Sequence, residues 1–182
     1  LVEKNVEALN NTDFKEIVTT DPHTYNTLKN EYPSNGKGPL SVLHYSELLD
    51  TLITSGQLTF RKKLNYKVTY HDPCYLGRYN GIYDAPRRVI EATGCEIVEM
   101  PRHGEQAFCC GAGGGRIWME EGDVKERPSE ARIREAVELE GVTDFVVACP
   151  KDVTMYQDAI KTTGYEERLA VKDLIELAHE AL

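Results

Sequence analysis

Two stretches of the chain read alike, and their shared pattern restricts the fold more than any other feature. Ile17-Val-Thr-Thr-Asp21-Pro22-His23-Thr24 and Phe145-Val-Val-Ala-Cys149-Pro150-Lys151-Asp152 each carry a short apolar run into X-Pro and then into helical periodicity. Proline has a fixed φ and no N–H, so it suits the first turn of a helix. A strand that feeds directly into such a helix is half of a parallel crossover. A second matching pair follows, Leu43-His-Tyr-Ser-Glu-Leu-Leu against Val171-Lys-Asp-Leu-Ile-Glu-Leu. The repeat divides the chain into the tail of a first unit, residues 1–60, and a complete second unit, residues 65–182, joined through 56–63.

Short β-branched runs alternate with helical periods over the rest of the sequence. This predicts an α/β fold of short, largely parallel sheets flanked by helices, with an internal pseudo-repeat. Strands are expected over 16–20, 40–44, 66–71, 95–100, 144–148 and 168–171. Helices are expected over 22–31, 45–55, 84–93, 115–121, 128–140, 151–163 and 172–181, and Pro33-Ser-Asn-Gly-Lys-Gly-Pro39 reads as a loop. The chain opens on Leu1 in a helix-like stretch, which reads as a fragment of a longer protein.

Charge and cysteine content narrow the function. A formal net charge of −9 argues against nucleic acid or anionic lipid as a partner. The apolar runs are far shorter than the roughly 20 residues that cross a bilayer, and no leader is visible. Five cysteines, an odd number, without a disulfide-framework spacing point to a reducing, cytoplasmic setting. There, clustered thiols bind metal or do redox chemistry more often than they staple loops.

Cys74, the adjacent pair Cys109–Cys110, and Cys149 are each expected at the carboxyl edge of a strand, where ligands gather in open α/β sheets. The run Gly111-Ala-Gly113-Gly114-Gly115 lets backbone approach a bulky cofactor and aim N–H groups at sulfur. It lacks the Gly-Lys-Ser/Thr ending of a phosphate loop and the spacing of a dinucleotide fingerprint. A vicinal disulfide between Cys109 and Cys110 is the alternative without metal. His71 and His103 flank the site as hydrogen-bonding or proton-transfer candidates, and Arg78, Arg102 and Arg116 are candidates to offset thiolate charge. Cys95, Trp118 and Met119 read as core, His23 as a residue of a helix N-terminus, and the acidic runs around 120–121 and 126–140 as a solvated face.

Tyr70-His71-Asp72-Pro73-Cys74-Tyr-Leu-Gly77-Arg78, Phe108-Cys109-Cys110-Gly111-Ala-Gly-Gly-Gly115 and Ala148-Cys149-Pro150 closely resemble the cysteine-rich CCG domain. That domain occurs in the B and D components of heterodisulfide reductase, in the iron-sulfur components of glycolate and lactate oxidase, and in related iron-sulfur oxidoreductases. The resemblance implies tandem CCG units and, in the second, an iron-sulfur cluster of the [4Fe-4S] type, cubane or noncubane, on Cys74, Cys109, Cys110 and Cys149. Zinc is the alternative metal. The family's closing Cys-x-x-Cys is broken, because Asp152 stands at the last cysteine, and Asp21 and Thr24 stand at both first-unit positions. Asp152 is therefore a candidate oxygen ligand. The resemblance further implies an electron-transfer module of a larger, membrane-associated oxidoreductase, passing electrons from a flavoprotein toward quinone on the cytoplasmic face. Its partners would be flavoprotein, ferredoxin-like or haem segments. A heterodisulfide-type reductase component and a zinc or metal-free assembly module are the alternatives.

Overall fold

The structure, a computed structural model, describes residues 1–33, 40–120 and 122–182. The loop expected over 33–39 lies, beyond Pro33, outside the described residues. Four parallel strands form the main sheet in the order β4 (Glu96–Ile97), β3 (Lys67–Tyr70), β5 (Asp144–Val147), β6 (Ala170–Asp173). A smaller parallel pair joins β1 (Ile17–Thr19) to β2 (Val42–His44). Helices α2 (Pro22–Asn26), α4 (Asp84–Ala92), α5 (Pro128–Val137) and α6 (Pro150–Thr163) lie in the crossovers, α3 (Tyr45–Thr54) links the two sheets, and α1 (Val2–Asn10) and α7 (Leu174–Ala181) flank the strands at either end.

Alternation along the central strand β5 builds two apolar layers, as expected of a parallel sheet covered on both faces. Phe145 and Val147 pack with Ile133, Ala136, Tyr156 and Ile160 from α5 and α6. Val146 and the following Ala148 face the other way, onto Val68, Tyr70, Ile90, Leu174 and Leu177. Tyr45, Leu49 and Ile53 of α3 enter that second layer, and the Tyr45 hydroxyl donates to Asp173 Oδ1 at 2.6 Å. Helix α3 thus shares a core with the main sheet.

The pseudo-repeat is visible in the pairing, with one change of register. Ile17 pairs with Val42, whereas Phe145 pairs with Val171, so Val42 and not Leu43 is the counterpart of Val171. Capping explains the slip. His44 and Asp173 are the N-caps of α3 and α7, and Glu47 and Glu176 close the two capping boxes. Matching box to box fixes the true alignment.

Other expectations change as well. The helix expected over 115–121 is a single 3₁₀ turn, Arg116–Trp118: Gly115 before it is left-handed at φ +80°, and Met119 ends it in an extended conformation. Trp118 is 88% exposed and Met119 61%, so neither is core; Glu121 lies outside the described residues. The helix over 22–31 ends its α part at Asn26 and finishes as a π turn, Thr27–Glu31. Strand 95–100 shortens to Glu96–Ile97, and 168–171 shifts to Ala170–Asp173.

Candidate metal centre

Three crossovers deliver the thiols to the carboxyl edge of the main sheet. Chain leaving β3 buries His71, Asp72 and Pro73 and then presents Cys74, half-buried. Cys149 leaves β5 as the N-cap of α6, held extended at φ −154° by the Pro150 that follows. Cys109 and Cys110 depart from expectation, since they sit well past β4 in irregular backbone rather than at a strand end. That loop is pinned from outside. Asp72 accepts the Gly104 N–H at 2.7 Å, Arg78 donates to the Ala107 carbonyl at 2.8 Å, and the Arg102 guanidinium lies 4.1 Å from the Phe108 ring centre. Arg87 clamps Asp72 from the other side with two bonds at 2.7 and 3.0 Å.

Backbone and thiols are already organised around sulfur charge. The Gly111 N–H points to Cys109 Sγ at 3.3 Å and the Ala112 N–H to Cys110 Sγ at 3.5 Å. Gly111 has to be glycine, because its φ is +85° and an added Cβ would meet Pro128 at 3.2 Å. An added Cβ on Gly113, Gly114 or Gly115 would meet nothing within 4 Å. Hydrogen bonds from Cys110 and Cys74 hold the Cys109 thiol below its usual range. Sharing that proton with Cys109, together with burial, pushes Cys74 and Cys110 up, and burial beside Asp152 pushes Cys149 up. Several negative charges buried in one site oppose one another, and a bound cation would relieve that opposition. Cys109 and Cys110 are both free thiols, so they form no vicinal disulfide.

Asp152 adds an oxygen to this edge. It is 2% exposed, its Oδ2 has no hydrogen-bond partner among the described residues, and burial pushes its carboxyl up to about 7. His71 Nε2 lies 3.6 Å from that oxygen, and the Tyr156 hydroxyl lies 3.2 and 3.3 Å from the two His71 ring nitrogens. Burial, and then the nearby Arg132 charge, lower the His71 ring to about 3, so it stays neutral.

Arg132 is the cation that sequence reasoning missed. It is fully buried, bonds Glu135 through Nη1 at 2.9 Å, and leaves Nε and Nη2 without partners among the described residues. Its signal was present in the sequence, as an arginine on the apolar i, i+3, i+4 face of α5 shared with Ser129, Ile133, Ala136 and Val137. The expected cations have other tasks. Arg78 and Arg102 brace the cysteine loop, while Arg116 is exposed and lines a cleft of about 270 Å³ with Gly111, Pro128 and Met155. His103 is exposed and gives its Nδ1 proton to the Met100 carbonyl at 2.6 Å. Cys95 is buried in the layer under β3, away from this edge.

The donor set suits a soft, highly charged cation centre: thiols from three loops, N–H groups aimed at two of them, an unpartnered carboxylate oxygen and a buried guanidinium. Fold and site together define a parallel α/β protein of the cysteine-rich class. Residues 68–151 match the sequence model of the cysteine-rich domain, CCG, and the chain belongs to that family. It is 40% identical over 195 residues to the EtfAB:quinone oxidoreductase of Syntrophomonas wolfei and 41% over 186 to the "Probable iron-sulfur-binding oxidoreductase FadF" of Bacillus subtilis. It is 34% identical over 187 residues to the D component of the dihydromethanophenazine:CoB–CoM heterodisulfide reductase of Methanosarcina barkeri. Each match covers all of this chain but only 26%, 26% and 44% of the relative, so the chain spans about a quarter to under half of their length.

Proposed function

We propose that residues 65–182 are a complete CCG unit holding an iron-sulfur cluster on Cys74, Cys109, Cys110 and Cys149, with Asp152 as an oxygen donor. Residues 1–60 are then the tail of a first unit whose own ligand positions are Asp21 and Thr24. The chain serves as the electron-transfer module of a larger oxidoreductase of the flavoprotein-to-quinone type.

The observation that carries this reading is the graded exposure of one set of thiols. Cys110 and Cys149 are buried, Cys74 is half-buried and Cys109 is exposed. Such a cradle grips a cofactor from beneath and leaves one edge open to a redox partner. The bound cluster would supply reversible electron storage. The buried Arg132 guanidinium would lower the cost of the negative charge, Asp152 and His71 would line the buried side, and the Gly111 and Ala112 N–H groups would stabilise thiolate at Cys109 and Cys110.

The names of the relatives favour electron transfer among redox proteins, and the acidic chain offers a docking charge. No helix among the described residues is long and apolar enough to cross a membrane. The module is proposed to sit at the cytoplasmic face of a membrane complex. The test is anaerobic mixing with a reduced electron-transferring flavoprotein. Bleaching of the cluster's visible absorbance without thiol release from an added disulfide supports the reading. Disulfide turnover that keeps pace with cluster oxidation assigns the chain to the heterodisulfide-type reductases instead.

A further inference from the structure

His23 has no part in the site described so far, yet the fold carries it there. Asp21 caps α2 and Cys149 caps α6, and these two equivalent corners of the repeat face each other. An oxygen of Asp21, a ring nitrogen of His23 and the Cys149 sulfur all lie within 4.8 Å of one another. The His23 ring also packs on Tyr75, next to Cys74, with ring centres 4.2 Å apart. His23 thus neighbours Cys149 and packs on the residue that follows Cys74.

Its ring is oriented in the way metal-bound imidazoles are. Nδ1 lies 3.2 Å from Asp21 Oδ1, while Nε2 is closed to solvent and has no hydrogen-bond partner among the described residues. A carboxylate that accepts the Nδ1 proton fixes the tautomer and leaves the Nε2 lone pair free. The Asp21 carboxylate is itself anchored by the Thr24 hydroxyl at 2.9 Å, by the His23 backbone N–H at 3.2 Å and by Lys151 Nζ at 3.4 Å. Lys151 Nζ also lies 3.3 Å from His23 Nδ1 and, as a donor only, competes with the ring for Asp21 rather than bonding the Nδ1 proton.

Cys149 adjoins Asp21 and His23 on one side and Asp152 on the other, and Asp152 in turn bonds the Cys110 thiol. Two separate metals sharing one thiol of a compact edge are less economical than one centre that both groups reach. We infer that His23 Nε2, supplied by the first unit and oriented by Asp21, is a nitrogen ligand of the metal centre that the second unit holds on its cysteines. The inference rests on the cluster reading above and extends it, because the first unit, whose own cysteines are replaced, keeps a role in its neighbour's site.

The test is pulsed EPR on the reduced protein, prepared anaerobically with natural-abundance and with ¹⁵N-labelled histidine. The expected result is a hyperfine coupling typical of a directly bound nitrogen that changes with the label and disappears in His23→Cys, which keeps a donor and so keeps iron and sulfide. Labelling the unaltered protein gives an answer even if the variant fails to fold. A cluster with no coupled histidine nitrogen, or with a coupling that survives in His23→Cys, overturns the inference and leaves the cluster reading standing. Absence of iron and sulfide from the unaltered protein overturns both.

Discussion

Asp152 Oδ2 lies 3.6 Å from His71 Nε2, with both side chains closed to water and the carboxylate oxygen otherwise unpartnered among the described residues. A buried carboxylate in this position costs stability unless something positive meets it. If a metal meets it, Asp152→Ala should lower iron retained after gel filtration and change the EPR line shape. Asp152→Cys should retain iron with a different spectrum. Unchanged iron content and spectrum in both variants would remove Asp152 from the coordination sphere.

Arg132 should tune the potential rather than hold the fold. Arg132→Met removes a buried cation, but Glu135 keeps the Arg102 backbone N–H at 2.8 Å and Nε at 3.1 Å. The oxidised, less negative state of a cluster gains relative to the reduced state when a nearby cation is lost, so the midpoint potential should fall. A redox titration checks this, with Arg116→Met, on the exposed loop, expected to have the smaller effect. A potential unmoved by Arg132→Met would place the guanidinium outside the field of the centre.

Arg87 is the bracket between sheet and cysteine loop. It holds Asp72 at 2.7 and 3.0 Å and Glu99 at 2.6 and 3.1 Å, and Asp72 is 3% exposed. Arg87→Met leaves the Asp72 carboxylate buried without its counter-charge, a loss of about 3–5 kcal/mol for a broken buried pair. Urea unfolding at neutral pH measures it. A loss of less than ~1 kcal/mol would class the bracket with exposed pairs.

His44 makes stability depend on pH. Its neutral ring accepts from the Ser46 N–H to cap α3, and burial lowers it to about 4. Between about 6.5, the ordinary value, and 4 the unfolded chain takes up a proton that the folded ring refuses. The His44 contribution is therefore fully present above that window and is lost as pH drops through it, by up to roughly 1.4 kcal/mol per pH unit. His44→Asn keeps a cap acceptor and should remove the His44 share of the slope, leaving the lowered His71, which adds to it, and the raised Asp152, which opposes it, while lowering stability at pH 7 through lost packing. An unchanged slope would mean that His44 titrates normally.

Much of this molecule could be read from its sequence, for reasons particular residues show. Pro22 and Pro150 mark helix starts wherever they occur, so the parallel crossovers and the repeat were legible from local chemistry alone. The repeat's register was not, because apolar residues on both sides of His44 and Asp173 match in either alignment until the capping boxes form. Cys74, Cys109, Cys110, Cys149 and Asp152 were legible as types in an order. His23 was legible as a helix N-terminal residue but its meeting with Cys149 was not, since that comes from long-range placement, and the Arg132 signal on the apolar face of α5 was present but passed over. Trp118 misled for the opposite reason, as an aromatic residue usually found inside that left-handed Gly115 turns out to solvent.

A cluster on the four cysteines of the second unit is the claim on which the rest depends. Iron and acid-labile sulfide analysis of the anaerobically prepared protein, beside Cys110→Ala and Cys149→Ala, tests it most directly. Iron and sulfide are expected in matching amounts in the unaltered protein and should be lost in both variants, with far-UV circular dichroism unchanged. Zinc in place of iron, no bound metal, or a cluster that survives both substitutions would contradict it.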